Sequence, residues 1–322
     1  VAVGGGLISC TQKTVTLDGT GSSTGAGITY LWETLDGNIN SGATTLMPVV
    51  SEAGTYTLVV TNSANGCTAS AEVLVNQDAT VPVVQATPPG DLNCAVSSLV
   101  IDASQSSTGL GFSFAWTTIG GNFSSGQNTL TPTVNAAGSY ILTVTNLNSQ
   151  CTATATVVID QNTTIPPADA GQPKSLTCLI DTLEIGFAIP PTNPNLTYTW
   201  TTVGGNFASP TNGTNPLVNQ PGTYNLLVTN TLNHCTATAT VVISQNTTLP
   251  TVILAPGGEL TCQTTTLTLS STGSSTGANF NYNWTASNGG SISSGNNGPS
   301  PIVTAAGSYS LEITNTQNGC TA

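Results

Sequence analysis

The chain has 322 residues, of which only 5% are charged: Lys13 and Lys174 stand against 14 acids, for a net charge of −12. So few cations exclude nucleic-acid binding, which needs Lys or Arg to replace phosphate counterions, and attachment to anionic lipid headgroups. No apolar run approaches 18 residues, so no membrane-spanning helix is expected in this segment.

The chain starts without Met or a signal peptide and reads as a mature segment or a window on something longer. Thr, Ser, Asn, Gly, Val and Ala dominate, yet the 38% of hydrophobic residues fall in phase, so folded β-domains are expected rather than disorder. In chain order, "VAVGGGLISC" is a first strand ending at Cys10. "VTLDGTGSSTGAGITYLW" carries two more strands to Trp32, and "AGTYTLVVTNSANGCTASAEVLV" closes with a hairpin around Cys67. The series then begins again. Trp32, Trp116, Trp200 and Trp284 are evenly spaced, and Cys10, Cys94, Cys178 and Cys262 keep the same interval. Cys67, Cys151, Cys235 and Cys320, with Tyr56, Tyr140, Tyr224 and Tyr309, share the period with one extra residue between Trp284 and Gly307. A fixed period outranks any domain count from length. Four repeats follow, at 1–78, 79–162, 163–246 and 247–322, the last stopping two residues past Cys320.

In the second repeat, a first strand over 81–94 is broken by Pro88, Pro89 and Gly90. "SLVIDAS" at 98–104 alternates as a half-buried strand, "FSFAWTTI" at 112–119 carries the tryptophan, and turns with short strands follow. "GSYILTVTN" and "CTATATVVI" form a hairpin through residues 147–150. About seven strands without helical periodicity predict an all-β class: a tandem array of antiparallel β-sandwiches, the last lacking its final strand.

The details resemble an immunoglobulin-like sandwich, with a tyrosine corner at Tyr140 and Trp116 at the strand C position. The usual core cystine is replaced by aliphatic pairs: Leu17 and Leu58, Ile101 and Leu142, Ile185 and Leu226, Leu269 and Leu311. The opening and closing stretches quoted above resemble bacterial polycystic-kidney-disease (PKD) and related Ig-like repeats, and the resemblance covers all four copies. The acidic Gly-Asp-Gly stretch usual after the tryptophan is absent; "WETLDGN", "WTTIGGN", "WTTVGGN" and "WTASNGG" stand there. The resemblance implies a surface protein of the kind found in Bacteroidota adhesins and type IX-secreted fibres.

Eight cysteines in register, with no C-x-x-C and His234 as the only histidine, predict disulfides and an extracellular, oxidising location rather than a metal site. In an Ig-like topology the first cysteine of a repeat lies at the A–B turn and the second at the F–G turn, at opposite ends. A disulfide needs Cα atoms within about 7 Å. The expected pairs therefore join successive domains: Cys10–Cys151, Cys94–Cys235 and Cys178–Cys320, leaving Cys67 and Cys262 for repeats beyond the segment. The competing pattern is Cys10–Cys67 and its equivalents within each repeat, which requires the first cysteine nearer the F–G end. At the chain's end, a missing last strand leaves an open sheet edge. It fits either a longer array or a strand donated by a neighbouring molecule.

No catalytic constellation emerges, and no enzyme is expected. His234 occupies an F–G turn position held elsewhere by Gly66, Gln150 and Gly319. Asp18 and Asp102 share a register that Gly186 and Ser270 break, while Glu33 and Asp36 occur in one repeat only. No cofactor is expected; calcium at the domain junctions would have to use Asp78, Asp91, Asp160, Asp169 and Glu259, a thin set for an ion wanting six to eight oxygens. Glycosylation triplets occur at Asn122, Asn162, Asn195, Asn212, Asn246 and Asn283, and Asp181-Thr182-Leu183 resembles the Bacteroidota O-glycosylation signal. Sugar binding would need exposed aromatic rings, but the Trp and Tyr series fall at core positions, and Phe123 and Phe207 are replaced by Ile39 and Ile292.

The residues read best as an extracellular fibre, stalk or adhesin shaft. Its partners would be further repeats of the same chain or identical neighbouring chains. The linkers at 76–82, 160–167 and 244–250 are stiffened by proline, and two lysines leave trypsin almost nowhere to cut. The rival is an adhesin or carbohydrate-binding array whose repeats grip surface glycans directly.

Overall fold

The computed structural model describes residues 1–322, all of it strands, turns and extended chain. It divides into two compact units, 1–163 and 164–322. In the first unit, Ile28–Thr34, Gly54–Asn62 and Thr68–Gln77 form an antiparallel sheet, edged by Leu7–Ile8 running parallel to Thr68–Gln77. Val15–Thr16, Val49–Val50 and Ile39–Ser41 form the facing sheet. The arrangement returns with Phe112–Ile119, Gly138–Asn146 and Thr152–Ile159, faced by Phe123–Ser125, Thr133–Val134 and Leu99–Val100. Leu92–Asn93 now runs parallel to Gln161–Asn162.

In the second unit, Lys174–Thr177 runs parallel to Thr236–Asn246, followed across the sheet by Gly222–Asn230 and Leu196–Val203. The fourth sandwich pairs Phe280–Ser287 with Ser308–Asn315, faced by Leu267–Thr268, Ile302–Ala305 and Ser291–Ser294. Both units are thus tandem Ig-like β-sandwiches.

Alternation explains the central strands. In "FSFAWTTI" every second side chain turns inward, which brings Trp116 opposite Leu142, next to Ala155 on the third strand. Each tryptophan ring hides on the order of 200 Å² of apolar surface, about 5 kcal/mol of transfer free energy before ordering costs. Its Nε1–H remains satisfied: Trp32, Trp116, Trp200 and Trp284 donate to the carbonyls of Thr45, Thr129, Gly213 and Gly298 at 2.9–3.0 Å. Leu17, Leu58, Ile101, Leu142, Ile185 and Leu226 are buried beside these rings, where a core cystine would otherwise sit.

The tyrosine corner recurs in every sandwich. Tyr140 Oη accepts the Asn122 N–H at 2.9 Å and donates to the Ala136 carbonyl at 2.6 Å. Room for the ring comes from Gly121, where a Cβ would lie 2.4 Å from Tyr140 Cζ. This contact accounts for the glycine-rich stretch after each tryptophan. In the fourth repeat the corresponding glycine is Gly290, one residue further from its tryptophan, and Asn288, two residues before it, takes φ +51°. The extra residue of that repeat therefore lies between Trp284 and Gly290.

Three expectations need correction. The strand over 98–104 is regular only at Leu99–Val100; Asp102 accepts the Ser104 N–H and makes an isolated bridge to Thr87. The first strand of that repeat contracts to Leu92–Asn93, because Pro88 and Pro89 cannot donate to a ladder. Finally, Tyr309, Leu269 and Leu311 are half-buried rather than core, unlike their counterparts. Ser308–Asn315 lacks the long partner that Thr152–Ile159 gives Gly138–Asn146, having only a bridge from Thr314 to Thr321 on that side.

Candidate functional site

The recurring constructed feature is the joint between one repeat and the next. Its first part is the A–B turn. At 9–12 the Ser9 N–H donates to the Gln12 carbonyl, and the Gln12 N–H donates to Ser9 Oγ. The same turn forms at 93–96, 177–180 and 261–264, with Asn93, Thr177 and Thr261 as the side-chain acceptors. A short polar residue that holds its own turn leaves the following cysteine projecting outward.

The second part is the F–G turn. Asn146 Oδ1 accepts the Asn148 N–H, and Gln150 takes the left-handed conformation at φ +56°. Gly66, His234 and Gly319 take it in the other repeats, at +75°, +56° and +69°. His234 is thus a turn residue that tolerates positive φ.

The parallel edge strands show why a repeat cannot close on itself. Ile8 lies opposite Gln77, so Cys10 sits at the far end of the Thr68–Gln77 strand from Cys67. That strand spans about 30 Å at 3.3 Å per residue, against the roughly 7 Å that a disulfide allows. Asn93 opposite Asn162, and Thr177 opposite Asn246, repeat the arrangement.

Across the joint the parts meet. Cys10 bonds Cys151 with Cα atoms 4.9 Å apart, and the Cys10 N–H donates to the Ser149 carbonyl at 3.1 Å. Cys178 bonds Cys320 with Cα atoms 5.0 Å apart, and the Cys178 N–H donates to the Asn318 carbonyl at 3.0 Å. Cys94 and Cys235 each take part in a disulfide as well. Cys67 and Cys262 carry exposed free thiols. In the Cys178–Cys320 joint, Leu179 packs so closely on Gly319 that a Cβ there would lie 2.2 Å from Leu179 Cγ.

A third part went unread in the sequence. Two residues before each buried F–G cysteine stands a buried polar side chain: Ser149, Asn233 or Asn318. It ties the joint to the linker. Ser149 Oγ donates to the Thr80 carbonyl at 2.8 Å, Asn233 Nδ2 to Thr164 at 2.9 Å, and Asn318 Nδ2 to Thr248 at 3.0 Å. The signal was present as a polar residue at a fixed offset from the cysteine, but Asn and Ser are too common in turns for the offset alone to mark it. In the linker, Asp78 accepts hydrogen bonds from the Thr80 side chain and N–H, and they hold its carboxyl below the usual range.

The candidate calcium ligands Asp91, Asp160, Asp169 and Glu259 are exposed, and no three acid, His or Cys side chains gather into a cluster. Trp32, Trp116, Trp200, Trp284, Tyr56, Tyr140 and Tyr224 are buried, and no Trp, Tyr or Phe is fully exposed. Phe123 and Phe207 pack edge-on against Tyr140 and Tyr224 at 5.1 and 5.2 Å. A surface cleft in the first sandwich is lined by Glu33, Leu35, Asp36 and Glu72. No helix is long and apolar enough to cross a membrane.

No family description and no curated protein matches the chain. Among solved structures it is similar to the N-terminal eight Ig domains of Down syndrome cell adhesion molecule, with 14% identity and a TM-score of 0.36 over 76% of this chain. It spans 36% of that chain's length. It is also similar to titin domains I67–I69, with 12% identity and a TM-score of 0.35, covering 72% of this chain and 92% of that one. The three N-terminal domains of the outer capsid protein Hoc of bacteriophage RB49 match at 12% identity with a TM-score of 0.32, covering 72% and 94%.

Proposed function

We propose that the chain is a structural segment of an extracellular fibre, stalk or adhesin shaft, built from four Ig/PKD-like domains at 1–78, 79–162, 163–246 and 247–322. It acts mechanically and carries no catalytic machinery. One observation carries the reading: Cys10–Cys151 and Cys178–Cys320 each bind the A–B turn of one repeat to the F–G turn of the next, at sequence separations of 141 and 142. The same register pairs Cys94 with Cys235. It leaves Cys67 and Cys262 for cysteines of further repeats, in the same chain or in an identical neighbour. Disulfides in this number need an oxidising compartment, which supports placement outside the cell, and the PKD-like repeats suggest a bacterial surface. The buried tryptophans and tyrosines weigh against repeats that grip glycans, because sugar stacking needs an open ring face.

Disulfide mapping tests the reading. After chymotryptic digestion without reductant, a peptide joining Cys94 to Cys235 is expected beside those joining Cys10 to Cys151 and Cys178 to Cys320. Peptides joining Cys94 to Cys151 would leave independent modules and sink the shaft. Surface immunolabelling of the producing cells is the companion measurement, with label expected along extracellular filaments.

A further inference from the structure

The two joints, followed through the chain, draw a covalent route that avoids most of the protein. From Val1 the route runs to Cys10, crosses to Cys151, follows the backbone to Cys178, crosses to Cys320 and ends at Ala322. We propose that tension applied between the ends travels along this route, so that the disulfides act as a strain limiter and most of each sandwich is bypassed. The route holds about 38 peptide steps, and at most ~3.5 Å per step sets a ceiling of about 140 Å with the two crossings included. The same chain without disulfides can extend to about 1,100 Å. Unfolding every sandwich adds no length beyond that ceiling while both bonds stand.

The segment that bears the load is built for it. Between Cys151 and Cys178 the chain forms Thr152–Ile159, bonded to Gly138–Asn146 through eight register pairs, and Lys174–Thr177, bonded to Thr236–Asn246 through four. Tension along these strands loads the ladders lengthwise, so many hydrogen bonds must yield together rather than one at a time. Cys94 and Cys235 lie off the route. By the register proposed above, the segments 67–94 and 235–262 would form a second, interleaved route of the same kind.

The inference draws its purpose from the shaft reading but its geometry only from the two bonds. Single-molecule pulling between the termini tests it, with Cys67→Ser and Cys262→Ser present throughout. The oxidised chain is expected to stop at about 140 Å, and reductant should raise the limit about eightfold. Cys94→Ser with Cys235→Ser should leave the limit unchanged. Cys178→Ser with Cys320→Ser should raise it above about 500 Å, because the shortest covalent path then runs from Cys151 back to Cys94, crosses to Cys235 and follows the backbone to Ala322. Extension well beyond the ceiling, to about 200 Å or more, with Cys10–Cys151 and Cys178–Cys320 intact by mass spectrometry would overturn the proposal. So would a longer limit in the Cys94/Cys235 variant. The expected limit in a protein that labels no extracellular filament would sink the shaft reading and leave the load route standing.

Discussion

Replacing Tyr140 by Phe keeps the ring and removes only the hydroxyl. The ring is fully buried, edge-on to Phe123 at 5.1 Å, so packing is conserved. What is lost is the acceptor for the Asn122 N–H and the donor to the Ala136 carbonyl. A part-buried donor such as the Asn122 N–H left without a partner costs about 1–3 kcal/mol, so the expected loss is ~2 kcal/mol, roughly a 30-fold change in an opening equilibrium. Native-state hydrogen exchange read by mass spectrometry on the Gly138–Asn146 strand measures it, because each sandwich reports through its own peptides. The structure supplies a control. Tyr309 makes the equivalent bonds to Ser291 and Ala305 but is half-buried. Water can replace its hydroxyl, so Tyr309→Phe is expected to cost ~1 kcal/mol or less. Acceleration below threefold at Tyr140→Phe, or an equal effect at Tyr309→Phe, would refute the argument from burial.

Gly319→Gln introduces a side chain at φ +69° and into contact with Leu179. The left-handed backbone alone costs roughly 1–2 kcal/mol, and Cys178–Cys320 is expected to be reduced by dithiothreitol several-fold faster; an unchanged rate would show that the turn absorbs the side chain. Because Asp78 has a carboxyl pKa below its ordinary value of 3.8, its contribution to the first linker is complete above about pH 4 and is lost as pH falls through the depressed value. Burial pushes the Tyr56 hydroxyl above its ordinary value of 10, so its contribution is complete below pH 10 and is lost as pH rises through the raised value. Hydrogen exchange against pH checks both, with the linker around Asp78 expected to loosen in acid and the first sandwich to open in alkali.

The central strands were legible because period-2 alternation and the tryptophan register determine which face is buried. Phe112–Ile119 and Gly138–Asn146 fall where the pattern puts them. The short facing strands were not, since two-residue pairings such as Thr133–Val134 leave no periodicity to read. The extra residue of the fourth repeat could only be bracketed until Gly290 was seen making room for Tyr309. At the joint, cysteine spacing combined with an assumed Ig topology pointed to partners one repeat apart. The linker clamps of Ser149, Asn233 and Asn318 were invisible because their role depends on a carbonyl far back along the chain, in the linker before the repeat.

The distance along the chain between bonded cysteines also sets an order of events for a chain emerging from its N-terminus. Cys67 appears long before Cys151, so for a time it is the nearest available mate for Cys10. What keeps the two apart is the finished first sandwich, in which Leu7–Ile8 docks beside Asn76 and Gln77 at the opposite end from Cys67. Folding of the first sandwich must therefore precede oxidation of Cys10, and the Cys10–Cys151 and Cys178–Cys320 closures must each wait for the repeat that follows. Such a chain is sealed one domain behind its growing end, and an oxidant acting too early would lock in the wrong pair.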